Sequence, residues 1–474
     1  MKTSSTTSLA AGGKAQGRVS SIDSLRGLAI FGMILCAYIG WHSDLPAWMF
    51  HAQLPPPDYA FSPDVRGITW VDLVFPFFLF SMGAAFPFAM KKRISNGAGA
   101  AAISGWLVRR WLILVCFSFV LGNAGSASSS QCSPVWSNLF LIGTWGGLFL
   151  ALTRFSFSKP AWNRAANAGG VLILAAAAVI LQHALGVPLS KDKCDIIILI
   201  LAYVSLTGSL IWYFTRDSIA ARWLVFAAVW AVKALDSYTG VFSFIPDAGS
   251  AGYGWIFKFE YLQYLMIAIP GSIVGDMMMK RNAQGEAGMK AGGKEAAAAI
   301  LASAAAIFQL WGLFTRHVTA DIAVTACAAA AFALMTWKRR ETWSDIVMTG
   351  MLLMTAGTVF DPIDGGIRKD WCNISYLLVT SGMAAVTAGA FLFLETKQGI
   401  RLSWLSRCGQ NPMIAYTITG YVTVPVLSIA GIMPLIFKAA EGSPFMGLVQ
   451  GFGITAIMMA LTIFFTDRKI FWRS

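Results

Sequence analysis

The sequence predicts an all-α, polytopic integral membrane protein with about fourteen transmembrane helices, roughly ten at the least, and both termini cytoplasmic. Three observations carry this. Of the 474 residues, 57% are hydrophobic and 12% charged, with a mean hydropathy of +0.63; a soluble chain carries about 25% charged residues, and half that cannot cover a surface in water. Apolar runs near the ~20 residues needed to cross a ~30 Å hydrocarbon core recur along the chain. Basic residues cluster after every second run. A soluble enzyme is excluded, and the bilayer is the expected partner. The formal charge of +13, which in a soluble chain would suggest nucleic acid, is instead a topology signal, so no nucleic-acid partner is expected.

Residues 1–20 are rich in Ser, Ala and Gly without an apolar core and are expected to form a disordered cytoplasmic tail, leaving 21–474 as a single transmembrane domain. They do not form a signal peptide, because no long apolar stretch precedes Leu25 and no small-residue cleavage site closes the first run. Ser21 and Asp23 are N-cap candidates for the first helix. The runs lie near 25–41, 70–90, 104–123, 136–153, 166–185, 194–214, 222–238, 258–279, 296–315, 318–337, 343–360, 373–394, 411–430 and 446–466. The seventh is the weakest, being short and carrying Lys233 and Asp236 near its end.

Clusters such as Lys91-Lys92-Arg93, Lys280-Arg281 and Lys338-Arg339-Arg340 follow the even-numbered runs. With the N-terminus inside, 27 of the 36 basic residues are cytoplasmic and 9 are outside, the bias that orients membrane proteins. The Gly-rich segment from Lys280 to Lys294 reads as a flexible cytoplasmic linker. The seven cysteines show no CxxC and no metal spacing with the four histidines, so no metal site is expected. Cys132, Cys194 and Cys372 map to the outer side, where a disulfide stays open.

Polar residues that are costly to place in a bilayer are the informative ones. The first outer loop, 42–68, holds two of the four histidines, His42 and His51, and runs into Gly67-Ile68-Thr69-Trp70-Val71-Asp72-Leu73-Val74-Phe75-Pro76. Asp72 has two readings: a helix-start carboxylate with Thr69 as cap, or a charge facing a cavity, with Pro76 kinking the helix and freeing a nearby carbonyl. His51 is an interfacial loop histidine or, with a carboxylate partner, a proton-transfer group. Arg26, Arg109, Arg110 and Lys280 lie at inner helix ends, where snorkelling is the default; Arg26 and Arg110 continue directly into apolar sequence and are the candidates for a ligand phosphate. Asn411 before Pro412 fits an N-cap, with Tyr416 one turn further in. Asp361-Pro362-Ile363-Asp364-Gly365-Gly366 lacks the ligand series of an EF-hand and reads as an outer turn. Glu260, Gln263 and Pro270-Gly271 suggest a cavity-lining eighth helix.

Asp23-Ser24-Leu25-Arg26-Gly27-Leu28-Ala29, His51-Ala52-Gln53, the Gly67–Pro76 element and Phe80-Ser81-Met82-Gly83 together resemble the heparan-α-glucosaminide N-acetyltransferase family of transmembrane acyltransferases. Ile374-Ser375-Tyr376, Gly409-Gln410-Asn411 with Tyr416, and Arg468-Lys469-Ile470-Phe471-Trp472 extend the resemblance in order along nearly the whole chain. Cys36-Ala37-Tyr38, the Pro-rich stretch 54–66 and additional helical pairs within 166–238 and at 296–337 are departures from it. The resemblance implies acetyl transfer from cytoplasmic acetyl-CoA, as co-substrate, to an extracytoplasmic sugar or glycan in the cell membrane. It implies His51 as the central catalytic residue, Asp72 as its carboxylate partner, and Arg26, Arg110, Asn411 and Tyr416 on the acetyl-CoA side. His51 would take the acceptor's proton or itself carry the acetyl group. Amide or ester product, acceptor identity and a homodimer stay open. The competing reading is a multi-pass secondary transporter of a small organic solute, which requires internal repeats that the halves of the sequence do not display.

Overall fold

A computed structural model describes residues 19–130, 132–153, 155, 160–239, 259–284 and 291–472. The predicted tail falls almost wholly outside these residues, as does the middle of the Lys280–Lys294 linker. The described chain is all-helical apart from one isolated bridge between Thr153 and Trp472. The order is α1 (Ser20–Tyr38), α2 (Val74–Ser95), α3 (Ala100–Gly125), α4 (Pro134–Leu152), α5 (Pro160–His183), α6 (Ile196–Thr215), α7 (Ile219–Thr239), α8 (Leu265–Gln284), α9 (Gly293–Thr315), α10 (Val318–Thr336), α11 (Thr342–Phe360) and α12 (Ile374–Lys397). There follow α13 (Ser403–Gly409), α14 (Pro412–Ile418), α15 (Val424–Ile429), α16 (Ile432–Ala440) and α17 (Pro444–Asp467). Helices close every backbone hydrogen bond within the segment, which lipid demands.

Among the described residues, thirteen helices are long and apolar enough to cross a membrane. They match every predicted run but the seventh, α7, whose Arg222, Lys233 and Asp236 set it apart. At one end, the buried Arg222 guanidinium bonds Asp276 near the end of α8 and the Thr215 carbonyl at the end of α6, while Trp212 Nε1 donates to the same Asp276 at 3.1 Å. Midway along α7, Trp230 packs edge-on against Phe360, the last residue of α11, with centroids 5.1 Å apart. A desolvated guanidinium with this many acceptors is tolerable where a lone one is not.

The helices pack closely through small residues, as lipid-embedded bundles do. On α2 and α8, a side chain on Gly83 would meet the Ala268 carbonyl at 2.2 Å, and one on Gly271 or Gly275 would meet Phe80 or Ala84 backbone at 2.3 Å. Pro270-Gly271, read in the sequence as a cavity-lining interruption, is thus a packing contact within a continuous helix. The thirteenth run is one unbroken span, Pro412–Ile429, in which a π-helical turn at Thr419–Thr423 lies between α14 and α15.

At one face, three of the motifs join. Gly27 abuts the Leu405 carbonyl and Gly409 the Asp23 carbonyl, each 2.0 Å from where a Cβ would stand. Asn411 Nδ2 donates to the Ile470 carbonyl at 2.8 Å. Both ends of the described chain therefore share this face, called here the N face. The 42–68 loop occupies the opposite, loop face.

Candidate active site

The loop face is built from the 42–68 loop, the start of α2 and the 361–373 connection. Gln53 fixes the first loop from within, its Nε2 donating to the Val65 and Gly67 carbonyls at 3.2 and 3.3 Å. Gly67 N donates to the Ile367 carbonyl at 2.8 Å, and Asp64 accepts from Arg368 and Trp371 at 3.0 and 3.2 Å, which docks the second loop on the first. Asp361 anchors that second loop by accepting two bonds from Arg316, at 2.9 and 2.6 Å, and one from Ile367 N at 2.6 Å. The predicted outer turn at 361–366 is this anchor.

His51 and Asp72 meet here: Nδ1 lies 2.6 Å from Asp72 Oδ1. The Asp72 side chain is fully buried, whereas that of His51 keeps 24% of its surface exposed. Asp72 is the helix-start carboxylate with Thr69 beside it, and the same buried carboxylate faces His51 instead of the cavity. Its Oδ2 accepts from Thr69 N at 2.9 Å and Ala52 N at 3.4 Å, capping the short 3-10 turn Trp70–Leu73 that leads into α2, while Oδ1 faces the imidazole. Thr69 Oγ1 donates to the Phe50 carbonyl at 2.7 Å, pinning the residue before His51.

Pro76 sits in the first turn of α2 and does not kink it. It lacks the N–H that would reach the carbonyl four residues back, and that carbonyl is Asp72's. Tyr376 Oη donates to it at 2.8 Å. Ile374-Ser375-Tyr376 and the Thr69–Pro76 element are therefore two halves of one support.

Sequence reasoning missed Lys369. Its Nζ stands 3.3 Å from His51 Nδ1 and 3.9 Å from Asp72 Oδ1. A carboxylate 2.6 Å from Nδ1 places a proton on that nitrogen, so Lys369 pairs with the carboxylate and Nε2 is the ring nitrogen turned away from it. Nothing around Lys369 marks it in sequence, because its partner is 318 positions away.

The other candidates lie elsewhere. His42 is exposed and edge-on to Tyr59, with centroids 6.1 Å apart. Arg26, near the N-face end of α1, donates to the Ser81 and Gly409 carbonyls and to Asp23 at 3.2–3.3 Å. Arg110 and Arg93 flank the Trp106 ring, 5.0 and 4.2 Å from its centroid, and Arg110 Nε is buried without a hydrogen-bond partner. Asn411 bonds the C-terminal segment. Tyr416 Oη donates to Asp195 Oδ2 at 2.7 Å, the residue capping α6, whose carboxyl burial pushes above the usual range. The structure thus brings His51 and Asp72 together and leaves the other four apart from them. Among the described residues, no group of three or more His, Cys, Asp or Glu side chains is placed to share a metal ion, and the seven cysteines are free.

Known proteins resemble part of this chain. The chain is 27% identical to human (Homo sapiens) heparan-alpha-glucosaminide N-acetyltransferase over 109 residues, 22% of this chain and 14% of that protein. The mouse (Mus musculus) protein of the same name matches at 28% over 109 residues, with the same coverage. The chain thus matches only about a seventh of the length of these relatives. A model described as "Domain of unknown function (DUF5009)" matches residues 18–278, which takes in α1, the His51 loop and the Asp72 turn. Since that match covers more than half of the chain, the protein belongs to the DUF5009 family.

Proposed function

We propose that the protein is a membrane acyltransferase that moves an acetyl group from cytoplasmic acetyl-CoA to an extracytoplasmic sugar or glycan, with the loop face outside. The observation that carries this reading is the dyad: a buried carboxylate holding one imidazole nitrogen by a 2.6 Å bond, with the ring partly open to solvent. Asp72 fixes the tautomer and balances the positive charge that grows on the ring as Nε2 accepts a proton. Nε2 removes that proton from the acceptor's amine or hydroxyl as its nitrogen or oxygen bonds to the acetyl carbon. Acetyl-CoA, as substrate, supplies the activated thioester, and the proton passes to the departing sulfur, giving free CoA. The relatives' name adds that acetyl transfer to a glucosaminide occurs in distant kin. A transporter would instead carry its ionisable pair near mid-membrane, between repeats.

Arg110 and Arg93 about Trp106 suit the nucleotide of the donor. Two guanidiniums offer phosphate-matched donors, the buried Nε lacks a partner, and the indole offers a stacking face. Binding there places the donor's charge on the basic N face.

The test is CoA release by purified protein with a panel of amino sugars and glycans. Thiol release that depends on the acceptor is expected. CoA release at the blank rate with every acceptor would remove the acyltransferase reading. In the same assay, Lys369→Met should lower kcat roughly tenfold, about 1.4 kcal/mol in the barrier, through loss of the cation beside Asp72, with KM for acetyl-CoA unchanged. An unaltered kcat would make Lys369 a bystander.

A further inference from the structure

A cavity of about 1000 Å³ lies between α1, α2, α9, α12 and α17. One end is walled by Leu28 and by Leu394, within a turn of the end of α12 at the N face. The other is walled by Trp48 and Met49 of the first loop, so the cavity runs through most of the bilayer's depth. Its loop end belongs to the dyad's own backbone: Met49 precedes His51 by two residues, and Leu73 follows Asp72.

The walls are apolar throughout. Two hydroxyls line it, Ser303 and Thr387, and both are used within their own helices, donating to the Ala299 and Met383 carbonyls at 2.9 and 2.8 Å. Among the described residues, no charged side chain lines it. The indoles of Trp48 and Trp70 stand at the loop end, the depth at which such rings favour a headgroup region. The side opening is framed by Ile307 of α9 and Phe452 of α17, which line the cavity and yet are 70% and 48% exposed. That mouth faces lipid.

These walls discriminate between occupants. A pantetheine arm carries two amides, which would lie here buried without hydrogen-bond partners, an unfavourable placement. A hydrocarbon chain has no such groups and gains contact along the whole length. Resting on the acyltransferase reading, we infer that the acceptor is a glycolipid whose hydrocarbon chain enters between α9 and α17, seats in this cavity, and presents its sugar beside His51. The cavity is thus an acceptor-anchor site, and the donor's arm takes another path.

The probe is a hexadecyl glucosaminide with a diazirine on its chain, photolysed with the full-length protein in detergent. Labelling is expected to concentrate on peptides holding Ile307, Phe391 and Phe452, to be competed by unmodified hexadecyl glucosaminide, and to resist free glucosamine and acetyl-CoA. Ala390→Trp on α12 and Ala306→Trp on α9 should each cut it at least tenfold. Label spread evenly over lipid-facing helices such as α5, or displaced by acetyl-CoA, would overturn the site. Transfer assays separate the two layers. Hexadecyl glucosaminide should show a KM at least tenfold below that of glucosamine, an advantage lost in both Trp variants. Cavity labelling without acetyl transfer to any acceptor would sink the acyltransferase reading and leave a lipid site. Transfer to glucosamine as efficient as to the glycolipid, in wild type and variants alike, would sink the glycolipid acceptor and leave the enzyme.

Discussion

His51→Ala is expected to lower acetyl transfer by about 10³-fold, near 4 kcal/mol in the barrier, while acetyl-CoA binding stays intact. Asp72→Asn should cost nearly as much, for a reason visible in the hydrogen bonds. The amide oxygen can keep the bond from Thr69 N that now goes to Oδ2, which turns the NH2 group toward the imidazole. Nδ1 must then accept, the proton moves to Nε2, and the atom that should take the acceptor's proton already carries one. The double variant should be no worse than His51→Ala alone, because the carboxylate acts through the ring. Steady-state kinetics with direct measurement of acetyl-CoA binding decide this. A His51→Ala enzyme of normal kcat would remove the dyad from the chemistry, and fully additive losses would give Asp72 a separate role. Withholding acceptor from wild type also tests for a burst of CoA, the mark of an acetyl-histidine step.

Much of this molecule is legible in sequence because lipid is a strict solvent. A helix exposed to hydrocarbon must be apolar along its length, so the runs appear without any tertiary information, and the seventh reads weakly because it is short and carries Lys233 and Asp236 near its end; that its Arg222 is paired with Asp276 on another helix shows only in the fold. The pairing of His51 with Asp72, 21 positions apart in two neighbouring motifs, is an expectation from the resemblance. What is not legible is whatever two distant loops make jointly. Lys369 reaches the dyad only because Asp361, Arg316 and Asp64 fold one loop onto the other. Tyr376 enters in sequence only as part of the resemblance, and the bond from its hydroxyl to the carbonyl that Pro76 leaves open shows only in the fold. The basic residues mislead in a different way. A guanidinium at a helix end looks the same in sequence whether it awaits a phosphate, as Arg110 with its unpartnered Nε can, or donates to neighbouring carbonyls, as Arg26 does.

That difference gives the second large effect, on folding instead of catalysis. Gly27→Ala should cost at least ~3 kcal/mol, and Gly27→Leu should leave little folded protein. The new Cβ would stand 2.0 Å from the Leu405 carbonyl oxygen and 2.7 Å from its carbon, and both atoms are backbone, so no rotamer change relieves the clash. Gly409→Ala meets the Asp23 carbonyl in the same way from the other side of the α1–α13 contact. Gly453, on α17, has open space around it, and Gly453→Ala should be neutral or stabilising by up to ~1 kcal/mol from helix propensity. Thermal unfolding in detergent, followed by size-exclusion chromatography, reads all three. A Gly27→Ala protein melting with wild type would mean that α1 and α13 are not in backbone contact. The same series separates packing from binding at this end of the chain. Arg26 donates to the Gly409 carbonyl across the contact, so if the Asp23–Gly27 segment is there to hold α13, the glycine variants lose folded protein at unchanged KM for acetyl-CoA. A raised KM in protein of normal stability would instead place this segment at the donor's phosphates.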